Sequence, residues 1–408
     1  MDTTTANVRA MYEQFPYPSG HPTLRSSSSV RLLLSYVKKP RKAAGPLHAL
    51  DAGCGRGIGT IGHAITNPDV NILGVDITKQ ALLDAEQMTV GRGIKNVRYQ
   101  EIDLMTLEGL KTPANGFDVI YSSGVVHHMT DPRHGLTRLR EVLAPHGVIA
   151  LMVYARDGRH SLYRLARSLD VLAPRDRPLT ERLSVGRALA SAVKSDALTT
   201  GIWNDAASVA DAEFVDRYLH VNETSYNVEE LFTLLEGAGL RLLRWSSPNE
   251  WSVKDLLPAG EVRDRAMKLE PRDQYRLIEQ LFWRDRHELL LCHKDNELRQ
   301  IPGTVEELLK TAVAVSPEVS ISSEVRILPG SQRVEKIGYR RRTEELVILT
   351  DSELCNALYS LRDQVDAFHA QAFVDILGSE GIPKDKAVRL LIDLLGREIL
   401  YMPHLVDV

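Results

Sequence analysis

The stretch Leu50-Asp51-Ala52-Gly53-Cys54-Gly55-Arg56-Gly57 constrains this chain more than any other. A short apolar run, 47–51, leads into it, and an apolar-periodic run, 58–65, leaves it. Three alternating glycines permit a tight turn and the close approach of a ligand, because no Cβ stands in the way. The helix that follows aims its unsatisfied N–H groups back at the turn. Strand, glycine loop and helix open a βαβ unit. On residues alone they indicate a nucleotide-like ligand without naming it.

The next hundred residues alternate in the same way. Strands are predicted at 71–76 (NILGVD), 97–102, 117–122 (FDVIYS) and 147–154 (GVIALMVY), with helices over 79–90 and 133–143. GVIALMVY is apolar almost throughout, which requires a strand buried on both faces and therefore a parallel sheet covered by helices. LRLLRW (240–245) and ELLLC (288–292) supply two further strands. The expected fold is α/β: a doubly wound, mostly parallel seven-stranded sheet. Residues 156–238 read as a helical insertion broken at Pro174 and Pro178, and a further helix is expected near 272–282.

A chain of 408 residues exceeds one ordinary core. Three regions are expected: an N-terminal helical lid, 1–46; the main domain, 47–298; and a small α+β C-terminal domain, 299–408. The last shows strands at 319–328 and 346–349, helices at 351–361, 367–377 and 384–395, and a closing strand at 399–402, an order that suggests a winged-helix-like module. With net charge −4, nothing attracts a polyanion globally. Cys54, Cys292 and Cys355 form no CxxC pair, so neither a zinc site nor a disulfide framework is expected, and the cytoplasm is the default compartment. No cationic-then-apolar leader and no membrane-length apolar run of ~20 residues is present.

About twenty residues past the glycine loop, Asp76 closes GVDIT, where a carboxylate can accept hydrogen bonds from both ribose hydroxyls. LDAGCGRG, GVDIT, EIDLM, FDVIYSSGVVHHM and LREVLAPHGVIALMVY, taken in order, resemble the motifs of class I S-adenosylmethionine (SAM)-dependent methyltransferases. The likeness covers roughly residues 47–155 and is greatest to the branch that modifies small molecules, such as quinones. It implies SAM as cofactor, with Asp51, Gly53, Cys54 and Gly55 along the methionine half, Asp76 on the ribose and Ile77 against adenine. It also implies Asp103 and Leu104 at the adenine N6 edge, and Ser122, Ser123 and Gly124 beside the sulfonium.

Catalytic and acceptor-side candidates come from residue chemistry. His127 and His128 directly follow the fourth strand, and an imidazole there can act as general base. Tyr12 and Tyr17, in the stiff YEQFPYP segment, can close over the cofactor. Beyond the fifth strand, Tyr154, Arg156, Arg159 and His160 can meet an acidic acceptor group, and Asp211, Asp216, His220 and Tyr226 of the insertion can face the same space. No spacing specifies a metal. Arg333, Lys336, Arg340, Arg341 and Arg342 invite a DNA-binding reading of the C-terminal module. Its last helix, KDKAVRLLIDLLGR, is too apolar for a groove and suits acceptor capture or homodimerisation better.

The reading is SAM-dependent methyl transfer to a small-molecule, natural-product or peptide acceptor, without nucleic acid or membrane as partner. The alternatives are a SAM-sensing, DNA-binding regulator and an NAD-dependent oxidoreductase. GCGRG departs from the GxGxxG spacing of the oxidoreductases.

Overall fold

The computed structural model describes residues 1–18, 29–39, 41, 45–192, 206–341, 344–350, 352–359 and 367–403. Two compact units emerge: Met1–Arg25 with Ala44–Asn296, and Ser26–Ala43 with Glu297–Val408. Residues 26–43, expected in an N-terminal lid, group with the C-terminal unit.

The first unit is built on a seven-stranded sheet of order β3-β2-β1-β4-β5-β7-β6. Its strands are β1 (Leu47–Ala52), β2 (Val70–Asp76), β3 (Val97–Glu101), β4 (Phe117–Ser123), β5 (Leu143–Tyr154), β6 (Leu240–Trp245) and β7 (Arg286–His293). The first five run parallel, and β7 pairs antiparallel with both β5 and β6. The fold expected from the sequence is the fold found. Alternating β-branched and leucine positions bury β1, β4 and β5 on both faces, with Leu50, Val119, Ile120, Ile149 and Val153 wholly enclosed. The strand order reverses between β1 and β4, the switch point at which doubly wound sheets open a crevice.

Helix starts follow their caps. Asp131 accepts from the His134 N–H at 2.9 Å, and Pro132 occupies the first turn of helix Pro132–Val142, which buries Leu136 and Leu139. Asn227 and Glu230 form a capping box at helix Val228–Gly237. In the insertion, helices His160–Leu172, Leu179–Ala192 and Asp211–Tyr218 bury Leu165, Leu169, Leu183, Phe214 and Val215 in one cluster, and Met11 of helix Thr3–Gln14 joins it. The N-terminal helix is thus held against the insertion by the hydrophobic effect.

The second unit holds the antiparallel sheet β9 (Val319–Leu328), β10 (Ser331–Arg341) and β11 (Glu344–Leu349). A second small sheet joins β8 (Ala312–Val315) to β12 (Phe368–His369) and β13 (Leu400–Tyr401). Helices Ser352–Tyr359, Ala370–Ser379 and Lys384–Gly396 complete it. β10 was not expected. A bulge between Val334 and Lys336 breaks its alternation, so Val334 and Ile337, three apart, both face the core. The strand carries Arg333, Lys336, Arg340 and Arg341, where Lys336 pairs with Glu324 of β9 at 3.1 Å; Arg342 lies outside the described residues. Among the described residues no helix is long and apolar enough to cross a membrane.

Candidate active site

The glycine loop leaves β1 at the switch point. Gly53, Gly55 and Gly57 take φ of +82°, +50° and +76°, backbone that side chains other than glycine's avoid. A Cβ on Gly53 would lie 2.3 Å from Val125 Cγ2. The loop is fastened by two N–H donors, from Gly53 and Cys54, to the Val75 carbonyl at 2.8 and 2.9 Å. Gly55 N–H then donates to Asp76 Oδ2 and Thr78 N–H to Asp76 Oδ1, each at 2.8 Å. Asp76 therefore shapes the loop as well as closing β2. Half-buried, it retains lone pairs for further donors.

Asp51 is buried beneath the loop and accepts from Thr60 Oγ1 at 2.6 Å. Burial pushes its carboxyl up to about 6, the Thr60 hydrogen bond opposing. Cys54 is buried and burial pushes its thiol up, which makes it a packing residue. Ile77 is half-buried. Asp103 accepts from the Met105 N–H at 2.9 Å, which orients the turn after β3, and Leu104 beside it is buried. Ser122, at the end of β4, is buried, and its Oγ has no hydrogen-bond partner among the described residues, whereas Ser123 is exposed. Tyr17 and Pro18 lie over this loop: Arg56 donates to the Pro18 carbonyl at 3.2 Å, and the Tyr17 carbonyl stands 3.2 Å from where a Gly55 Cβ would be. The acidic groups, the open glycine backbone and the carboxyl ends of β1, β2 and β4 fit an adenosyl ligand with a free amino acid end.

Across the switch point, side chains remote in sequence converge. Tyr12 Oη donates to Asp216 Oδ1 at 2.8 Å and lies 3.2 Å from His220 Nε2. The Tyr12 hydroxyl is thus taken by the insertion. The His128 and His220 rings stack at 3.6 Å and 16°. Asn222 fixes the protons on both. Its N–H donates to His220 Nδ1 at 3.0 Å, so the His220 proton sits on Nε2 and points at Tyr12. Its carbonyl accepts from His128 Nδ1 at 3.0 Å, so His128 Nε2 is left as a bare lone pair. The Asn222 side chain donates to the His128 and Met129 carbonyls at 3.1 and 3.0 Å, which ties the loop to the turn carrying the histidines. Burial lowers His128 to about 3 and His220 well below its ordinary value, so both rings are neutral. The same burial, with Glu223 and Glu213 nearby, raises Asp216 to about 7 although Tyr12 opposes it.

His128, Asp216 and His220 put one ligand atom each within 4.8 Å of the others. Their arrangement suits hydrogen bonding better than a metal. In a parallel stack the in-plane lone pairs run side by side, and one ring must turn before both can meet one ion.

Four expectations are corrected here. His127 is wholly buried against the Tyr154 ring at 3.9 Å and the His128 ring at 4.2 Å, which withdraws it from the acceptor side. Arg156 is exposed and bonds Glu230 Oε1 at 2.6 Å and the Ser225 carbonyl at 2.8 Å. His160 is exposed. Tyr226 packs its ring in the main core and forms a bridge with Ala155 through its backbone. The short 3-10 turn Asp157–Arg159 rotates Arg159 inward instead, with its guanidinium 3.5 Å over the half-buried Tyr154 ring. Glu223 and Asn222, both at this site, carried no sequence signal beyond their closeness to His220.

Residues 45–170 match the model of a family described as a methyltransferase domain. An uncharacterized protein of Synechococcus sp. is 28% identical over 292 residues, 69% of each chain. A probable methyltransferase of Aspergillus luteorubrus is 30% identical over 136 residues, 31% of this chain and 45% of its own length. The trans-aconitate 2-methyltransferase of Deinococcus radiodurans is 32% identical over 116 residues, 28% of this chain and 41% of its own. The chain thus spans less than half the length of those last two relatives. Among solved structures, PKMT2 from Rickettsia typhi in complex with AdoHcy shares the fold with a TM-score of 0.63 and 15% identity, covering 95% of this chain and 76% of that one.

Proposed function

Because this chain is a class I SAM-dependent methyltransferase, its methyltransferase domain matched over residues 45–170, we propose that it methylates a small-molecule, natural-product or peptide acceptor held before His128. SAM supplies a methyl on a sulfonium, transferable by in-line displacement without further activation. The residues of this chain then supply alignment and a place for the acceptor's proton. Asp51, Asp76 and Asp103 hold the cofactor, and Tyr17 and Pro18 cover the glycine loop. Rickettsia typhi PKMT2, which shares the fold, was solved in complex with AdoHcy, and this supports SAM as the cofactor.

The observation that carries the acceptor side is the bare Nε2 of His128, fixed by the Asn222 carbonyl on the opposite nitrogen. A neutral, oriented imidazole accepts the proton of a hydroxyl, carboxyl or amine as the methyl arrives. Helices His160–Leu172, Leu179–Ala192 and Asp211–Tyr218 pack with the N-terminal helix in one cluster beside this space.

The test is His128→Ala, assayed with labelled SAM and fractionated host extract, the label being located by mass. S-adenosylhomocysteine affinity should be unchanged and transfer should fall about 100-fold or more. Unaltered turnover in that variant would refute the base role. Thermal stabilisation by NAD and not by S-adenosylhomocysteine would restore the oxidoreductase reading.

A further inference from the structure

Beside the histidine cluster, one charged pair is left incomplete. Arg159 Nη2 and Glu223 Oε1 stand 3.9 Å apart, with side chains 9% and 12% exposed. That separation is an ion pair but not a hydrogen bond. Arg159 Nη2 and Glu223 Oε2 have no hydrogen-bond partner among the described residues. Native structures seldom leave buried charged groups in this state, because the lost solvation is not returned.

The pair belongs to the acceptor side. Arg159 rests on the Tyr154 ring at 3.5 Å, and that ring meets the His128 ring edge-on at 5.8 Å. Arg159 Nε is 3.3 Å from Tyr163 Oη, which fixes the guanidinium from behind. Glu223 follows Asn222, whose peptide groups set the protons of His128 and His220. Its carboxyl is held above the ordinary range by burial, with Arg159 and a hydrogen bond from the Tyr163 hydroxyl opposing, and Oε2 is the oxygen left open.

Charge balance narrows what completes the pair. A lone carboxylate would gain from Arg159 and be repelled by Glu223; a lone ammonium would meet the reverse. A group that accepts on one side and donates on the other satisfies both open atoms without adding net charge. We propose that Arg159 and Glu223 recognise a dipolar group on the methyl acceptor, an N–H donor beside a carbonyl or carboxylate acceptor, as in a peptide unit or a free α-amino acid. This inference rests on the methyl-transfer reading above.

The test uses the full chain saturated with S-adenosylhomocysteine and four probes followed by saturation-transfer NMR titration: N-acetylglycinamide, glycine, acetate and methylammonium. The wild type should favour N-acetylglycinamide or glycine over both single ions, and the better of the two separates a peptide source from a free amino acid. Arg159→Ala should weaken the dipolar probe about tenfold. Glu223→Gln keeps the shape, removes the negative charge and should turn the preference toward acetate, a gain that a misfolded protein does not produce. Preference for acetate or methylammonium in the wild type, equal binding of all four, or no binding would overturn the proposal, the last leaving a structural pair bridged by water. Failure of the wild type to bind S-adenosylhomocysteine would take down the cofactor reading and this inference together; normal cofactor binding without probe binding takes down this one alone.

Discussion

Replacing Tyr12 by Phe removes one hydroxyl and tests whether the N-terminal helix is latched by a titrating group. Among the described residues Tyr12 Oη is the hydrogen-bond donor to Asp216, at 2.8 Å, and Asp216 is 2% exposed. Asp216 ionises at about 7 in the fold against 3.8 for an ordinary aspartate. A raised carboxyl contributes stability that is complete below its unfolded value and is lost as pH rises through the folded one. At pH 5 Asp216 is protonated in the folded protein, and Tyr12→Phe removes a hydrogen bond between neutral groups, a loss of about 1 kcal/mol. At pH 8 it is ionised, and the variant leaves a buried carboxylate without its donor, a loss of about 2–3 kcal/mol. Urea unfolding at the two pH values, with m-values checked for constancy, should show the variant's deficit roughly doubling at pH 8. Equal deficits at both would refute the reasoning, since they would mean that Asp216 does not titrate against Tyr12.

Gly53→Ala should abolish S-adenosylhomocysteine binding by calorimetry and cost about 1–3 kcal/mol in stability, because φ is +82° and the new methyl would lie 2.3 Å from Val125 Cγ2; retained affinity would mean the loop tolerates a different path. Zinc near the protein concentration should leave the melting temperature unchanged, since the stacked rings of His128 and His220 do not converge; a rise that disappears in His220→Ala would show that one ring turns to bind it.

The glycine loop was legible in the sequence because its geometry demands particular residues. Glycine suits the loop's positive φ values, and an acid at the end of β2 accepts from both Gly55 N–H and Thr78 N–H. The acceptor side was legible only in parts. Tyr12 meets Asp216 and His220 across 204 and 208 residues, a pairing that no local periodicity encodes. Arg159 and Arg156 look alike in the sequence, and it is the direction of a single 3-10 turn that sends one inward and the other to Glu230. β10 escaped because its bulge replaces alternation by a spacing of three.

Asn222 has a consequence for how this site can change over evolutionary time. The protons of His128 and His220 are placed by its peptide N–H and C=O, groups that every residue except proline possesses. Relatives can therefore differ in the side chain at 221 and inherit the same proton placement, unseen by any residue-by-residue comparison. A one-residue deletion in this loop, or a proline at 222, would instead exchange or erase it while leaving both histidines in the alignment.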